Sequence, residues 1–165
     1  MRINKTQAIV TREYSVCFFL FIASALFSHL NIFDIAQTST NPNYFLALMV
    51  LVCSYHIINI SLIKLFIIGI IVDVFAGQLL GEHGFIFLLI FFIEHLYKKY
   101  VHVLNYDQNH FLYFSLILIG LVAQAVISLN YEIKDITALK FLLELIYTCF
   151  IFYIYRFIFN RFNLQ

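Results

Sequence analysis

The sequence is poor in charged residues and has no tryptophan. Asp, Glu, Lys and Arg make up 12% of its 165 residues, compared with about 25% in an ordinary soluble domain. Hydrophobic residues make up 63%, compared with about 45–50% in such a domain, and they come in long blocks. A soluble domain is therefore excluded, and the composition, with a mean hydropathy of +0.92, indicates an integral membrane protein. The formal net charge of +1 gives no indication of a nucleic-acid partner.

Motifs for catalysis and metal binding are absent as well. Cys17, Cys53 and Cys149 lie in apolar runs without CxxC spacing, so we interpret them as small hydrophobic residues. None of the six histidines belongs to an HxxxH or HExxH pattern. Neither a nucleophile elbow nor a phosphate-binding loop occurs. We therefore predict a protein without enzymatic activity, metal or cofactor.

The apolar blocks predict an all-α membrane protein, a compact bundle of six transmembrane helices in one domain, residues 1–165. The only proline, Pro42, precedes the second span and suits a helix start. Ala23-Ser24-Ala25 resembles a signal-peptide cleavage site, but the apolar stretch continues to Ile32, which favours a retained first span. The spans are predicted at about residues 14–33, 44–58, 61–80, 85–97, 111–129 and 138–159.

The basic residues predict the orientation of these spans. With six spans and a cytoplasmic N-terminus, two basic residues, Lys134 and Lys140, fall on the outer side. The other basic residues fall on the cytoplasmic side, which is the bias that membrane proteins show. Both termini are therefore predicted to be cytoplasmic. The cytoplasmic residues are Arg2, Lys5, Arg12, Lys64, Lys98, Lys99, Arg156 and Arg161.

One segment, residues 67–93, combines glycines with an acidic residue inside an apolar run. Gly69, Asp73, Gly77 and Gly81 recur at every fourth position. On a continuous helix they would form a stripe that lets a second helix approach closely, as small-xxx-small pairs do in membranes. Asp73 would then face protein, because a charge at mid-bilayer costs on the order of 2.5–3.5 kcal/mol. We interpret these four residues as a partner-binding or helix-packing surface.

A second group of polar residues is predicted near the outer surface. Its members are Glu82, His83, Lys140 and Glu144. Two readings of this group and Asp73 stay open. The group is a site for a ligand, proton or partner, or it is a structural polar contact that fixes helix register. Glu82 itself is expected to be solvated in the outer loop.

The segment from Gly69 to Gly84, GIIVDVFAGQLLGEHG, resembles the MreD family of bacterial rod-shape-determining membrane proteins. That family has a glycine-containing helix, an Asp, a small-residue stretch and a Leu-Gly-x-His turn that opens the next helix. Pro42 before the second span, the chain length and the six spans also fit. Many family members have proline where this chain has Leu79. The matching residues are Gly69, Asp73, Gly77, Leu80, Gly81 and His83.

The resemblance implies a non-enzymatic, multi-pass subunit of the cell-wall elongation machinery in the bacterial inner membrane. It would bind the bitopic protein MreC and, through it, MreB filaments and the peptidoglycan synthases. Self-association is left open. MreD is also similar in architecture to the S component of energy-coupling-factor transporters. The alternative function is therefore a small-molecule-binding transporter subunit, with Asp73 and Glu144 lining an outward cavity.

Overall fold

The computed structural model describes residues 5–28, 34–35, 38–39, 41–54, 61–76, 79–100, 110–130 and 137–163. These residues form six α-helices and one pair of two-residue strands, so the predicted all-α class is confirmed at that level. The strands, β1 (Asp34–Ile35) and β2 (Thr38–Ser39), are antiparallel and lie between the first two helices. The helices are α1 (Lys5–Ser28), α2 (Tyr44–Ser54), α3 (Leu62–Ala76), α4 (Glu82–Tyr100), α5 (His110–Asn130) and α6 (Ala138–Asn163).

Two of the described helices are long and apolar enough to cross a membrane, at His110–Leu129 and Ala138–Phe162. Two further apolar stretches, Tyr14–Ser28 and Tyr44–Ser54, are shorter. The 11 residues of α2 extend for about 17 Å at 1.5 Å per residue, whereas a bilayer core is about 30 Å thick. Helix length therefore supports membrane association through α5 and α6, and the six-span arrangement stays a prediction.

The predicted boundaries were wrong around the turn between α3 and α4. The third span was predicted to reach residue 80, but α3 ends at Ala76 and the chain is in a turn at Leu80. The fourth span was predicted from residue 85, but α4 begins at Glu82, because polar residues of its first turn were assigned to a loop. At its other end α4 continues to Tyr100, beyond the predicted residue 97. Residues 29–33 and 55–58 of the first two predicted spans lie outside the described residues.

Helix α2 is the centre of the bundle. Every side chain of α2 except Val52 is buried, and the helix packs against α1, α4, α5 and α6. A helix that is apolar on all faces needs this position, because any exposed face would leave apolar surface uncovered. Helix α3 is more peripheral and packs mainly against α4. The hydrogen bonds of Asn43 position α2, and a contact between two glycines positions α3 against α4.

The start of α2 is fixed by a partly buried amide side chain. Asn43 caps the helix, since its Oδ1 accepts a hydrogen bond from the Leu46 amide at 2.9 Å. Its Nδ2 donates to Oε1 of Gln124 on α5 at 2.7 Å, and its backbone amide donates to Oγ1 of Thr148 on α6 at 3.0 Å. Both partners are buried. Asn43 therefore joins the start of α2 to α5 and α6, while the carbonyl of Pro42 accepts a hydrogen bond from the Tyr44 amide.

Two glycines allow α3 and α4 to touch. A Cβ atom on Gly69 would lie 2.2 Å from the Cα of Gly84 on α4, so the two backbones are in direct contact. A Cβ atom on Gly84 would lie 2.9 Å from the ring of Phe66. The predicted close approach of a helix at Gly69 is therefore made within the chain, by α4.

We expect Gly69→Ala to lower the free energy of unfolding in detergent by about 1–3 kcal/mol, because the new methyl group overlaps backbone that cannot move aside. Gly120→Ala is the matched control. Its Cβ would meet the end of the Leu46 side chain, at 2.5 Å, and that side chain can rotate. Thermal and denaturant unfolding would compare the two variants. A larger loss for Gly120→Ala than for Gly69→Ala would contradict the backbone contact.

Candidate functional site

Asp73 lies in the last turn of α3 and is completely buried, with 0% of its surface exposed. Its Oδ2 accepts a hydrogen bond from the backbone amide of Gly81 at 2.6 Å, and its Oδ1 accepts one from the amide of His83 at 2.9 Å. The first amides of a helix have no partner within that helix. An acidic group is also favoured there by the helix dipole. Asp73 therefore caps the start of α4 from the end of α3.

The side chain of His83 completes this site. Its Nδ1 lies 2.8 Å from Oδ1 of Asp73. Since an ionised carboxylate can only accept, Nδ1 carries the hydrogen of this bond. The ring, 1% exposed, contacts Phe45 of α2 and Phe87 of α4 edge-on, with centroids 6.1 and 5.7 Å away. These contacts fix the orientation of the imidazole and bring α2, α3 and α4 together at one point.

Gly81 provides the turn between the two helices. Its φ of +95° lies in the region that favours glycine. The backbone amide of Glu82 donates to the carbonyl of Leu79, and the amide of Phe85 donates to the carbonyl of Gly81. This turn directs the backbone amides of Gly81 and His83 toward the carboxylate of Asp73. We call Asp73, Gly81 and His83 together the helix-capping site.

The predicted glycine stripe is corrected by this geometry. Gly69 and Asp73 lie one turn apart on α3 and contact residues of the α4 region, but Gly81 lies in the turn and not on the helix. A Gly77-xxx-Gly81 face on a single helix is therefore wrong, because Gly81 is a turn residue with a φ of +95°. Gly77 itself lies outside the described residues. The sequence analysis also missed Gly84 as the packing partner of Gly69, although it follows His83 directly in the motif.

The predicted outer polar group is only partly brought together. Glu82 and His83 are neighbours at the start of α4, and Glu82 is buried, with 7% of its surface exposed. Its expected solvation was wrong, because it belongs to the first turn of α4, where the helix dipole favours an acid. Lys140 and Glu144 are partly buried on α6, which packs mainly against α2, α1 and α5. Asp73 is satisfied by Gly81 and His83 and not by Glu144.

The chemistry available at the helix-capping site is hydrogen bonding within the protein. The carboxylate of Asp73 accepts three hydrogen bonds, and every donor belongs to the same turn. In the part of the chain that the structure describes, no three His, Cys, Asp or Glu residues are grouped as metal ligands. The site is therefore suited to joining α3 and α4.

Comparisons with protein-family models, with curated proteins and with solved structures found no match to this chain.

Substitution of Gly81 should separate backbone strain from crowding. Among the described residues no atom lies within 4 Å of its Cβ position, so the expected effect of Gly81→Ala is strain from the positive φ. We expect it to lower the free energy of unfolding by about 1–2 kcal/mol. Gly81→Asn should lose less, because Asn tolerates this backbone conformation. Unfolding in detergent measures both, and equal stabilities of the two variants would argue against this role of φ.

Removal of the carboxylate should open the α3–α4 turn. Asp73→Leu leaves two backbone amides and the buried His83 side chain without their acceptor, so we expect a loss of about 3–5 kcal/mol in unfolding free energy. Asp73→Asn keeps one oxygen but places an NH2 group near one of the donors, so about 1–3 kcal/mol should be lost. Glu144→Gln is a control on α6. Unfolding in detergent provides the measurement, and similar stabilities for the two Asp73 variants would contradict the capping role.

Proposed function

We propose that the chain is a non-enzymatic scaffold subunit of the bacterial cell-wall elongation machinery, similar to MreD. In this proposal it spans the inner membrane six times, with both termini in the cytoplasm. It binds the bitopic protein MreC and so connects MreB filaments with the enzymes that synthesise peptidoglycan. Its task is to hold other proteins in place during elongation of the cell.

The helix-capping site is the observation that carries this proposal. Asp73, Gly81 and His83 belong to the motif on which the resemblance to MreD depends. Although the two partners of Asp73 are eight and ten positions away in sequence, all three residues meet in one hydrogen-bonded unit. The spacing of the motif therefore has a physical explanation. It is the spacing needed for a helix end to cap the next helix, which supports treating the motif as more than glycine-rich apolar sequence.

The distribution of apolar surface supports the membrane location. Large exposed hydrophobic side chains occur on α1, α3, α4, α5 and α6, whereas α2 is enclosed. In water such extensive apolar surface would drive aggregation, but in a bilayer it contacts lipid. The excess of basic residues on the predicted cytoplasmic side agrees with the same arrangement.

A scaffold is favoured over a solute-binding transporter subunit by the contacts of Asp73. A transporter of the S-component kind would need polar groups directed into a cavity. Asp73, the buried acid considered for that role, has both carboxylate oxygens bonded within the chain. The Gly69 face is covered by α4, so a partner helix would dock elsewhere on the apolar surface. The α3–α4 unit then supports the docking surface from within.

Co-purification from membranes of the native host tests this function. We expect the tagged wild-type chain to retain MreC, Asp73→Asn to retain most of it, and Asp73→Lys to lose it. Lysine cannot accept the hydrogen bonds and places a charged ammonium group next to His83. Glu144→Gln is the control, and membrane fractionation verifies that every variant is inserted. Absence of MreC from the wild-type preparation, or wild-type yield with Asp73→Lys, would contradict the proposal.

A further inference from the structure

A cleft of about 350 Å³ lies between α1 and α3, with α2 as its floor. Its walls are residues 14–21 of α1, residues 45–52 of α2 and residues 65–72 of α3, and Phe87 of α4 closes one end. Each of the three segments extends for about 10 Å along its helix. We call this space the α1–α3 cleft. Its size falls in the usual range of ligand pockets, about 300–1,000 Å³.

The lining of the α1–α3 cleft is apolar. It is made of aliphatic and aromatic side chains together with Cys17 and Met49, and among the described lining residues one hydroxyl group occurs, that of Tyr14 on α1. Phe45 and Phe87 stand between the cleft and His83, because both rings also contact the imidazole. The Asp73–His83 pair is thereby separated from the space. An occupant must be apolar along most of its length, since among the described lining residues the Tyr14 hydroxyl is the one side-chain group with an oxygen or nitrogen that can form a hydrogen bond with it.

The width of the cleft favours a hydrocarbon chain over a transmembrane helix as its occupant. Two packed helices have axes about 8–10 Å apart, so a third helix between α1 and α3 would hold those two axes roughly twice as far apart. Helices α1 and α3 instead contact each other directly, with Cα atoms within 8 Å. Where α1 and α3 are in contact, no transmembrane helix fits between them. A hydrocarbon chain, which is only a few ångströms wide, can enter the cleft.

The mouth of the cleft indicates where such a chain comes from. Phe18 of α1 and Ile71 of α3 line the cleft and are also exposed, at 66% and 43%. Their neighbours on the same surface, Ile22 and Ile67, are exposed as well. The cleft therefore opens sideways onto the apolar surface that faces lipid in a membrane. Apolar cavities do not hold water stably, so lipid is the available material to fill it.

We propose that the α1–α3 cleft binds one hydrocarbon chain of a membrane lipid. The site recognises the chain and not the headgroup. The bound chain fills the space over α2 and supports Phe45 and Phe87, which hold His83 in position. This inference rests on the membrane location proposed above and is independent of MreC.

The absence of tryptophan makes a site-specific test available, because a single introduced Trp has no background from other tryptophans. Phe18 and Phe19 are equally exposed, at 66%, but only Phe18 lines the cleft. Phe18→Trp and Phe19→Trp are therefore a matched pair. Each variant, purified in detergent, is titrated with phosphatidylcholine or phosphatidylglycerol carrying bromine on the acyl chains, and quenching of Trp fluorescence is recorded.

We expect saturable quenching of Phe18→Trp, half-maximal at a mole fraction about tenfold lower than that for Phe19→Trp. Burial of a few additional methylene groups is worth that factor. The two headgroups should give the same curve. Identical curves for the two variants would overturn the proposal, because both positions would then report only general contact with lipid. A strong preference for one headgroup would overturn recognition of the chain alone.

A filling variant provides the second arm. Val52 lines the cleft and is partly exposed, so Val52→Phe should occupy the space without disturbing the rest of the bundle. In the Phe18→Trp background it should shift the quenching curve to that of Phe19→Trp, with an unchanged elution profile. An unshifted curve would overturn the proposal. If the protein does not bind MreC but the quenching results are as expected, only the scaffold function is contradicted. If the protein is absent from membranes, both the scaffold function and the lipid site are contradicted.

Discussion

The hydrogen bonds of Asp73 are the constraint on which the arrangement of α3 and α4 depends. A carboxylate without water or a partner is among the most costly groups to bury. Here its cost is offset by two backbone amides and an imidazole. The same amides would otherwise be unsatisfied at the start of a helix. The carboxylate thus satisfies the amides, and the amides offset the cost of burying the carboxylate. The hydrogen bonds also hold α3 and α4 together, which allows the backbone contact between Gly69 and Gly84.

The helix-capping site and the α1–α3 cleft share two side chains. Phe45 and Phe87 contact His83 with their edges or faces and also line the cleft. The polar site and the apolar space are therefore separated by one layer of aromatic rings. The proposed lipid chain would contact these two rings from the cleft, while His83 contacts them from the polar site. In the proposed scaffold, lipid contact and the internal geometry of α3 and α4 are physically adjacent.

Local physical chemistry predicts the environment of Asp73 correctly but does not predict the position of the turn between α3 and α4. The cost of exposing a charge to lipid predicted that Asp73 faces protein, which agrees with its complete burial. The period of four residues from Gly69 to Gly81 is compatible with a continuous helix, but periodicity does not show where a helix stops. The end of α3 depends on donors up to ten residues ahead. Glu82 was assigned to solvent for the same reason, since its place in α4 follows from that turn.

Contacts between distant segments could not be predicted from one sequence. Asn43 meets Gln124 and Thr148 across 81 and 105 positions, and no local pattern connects them. Gly84 was missed as a packing residue because its neighbour, Gly69, is on another helix. The number and order of helices follow from the apolar blocks, whereas their mutual register follows from these few long-range pairs.

The cap of α2 has a consequence for biosynthesis. Asn43 leaves the ribosome well before Gln124, and Thr148 follows later still, so Asn43 is synthesised before either of its hydrogen-bond partners. Until α5 and α6 have both been synthesised, the central helix lacks part of its hydrogen bonding and of the apolar cover that these two helices provide. Assembly of the interior is therefore completed late in translation, and any factor that shields this helix must act before then.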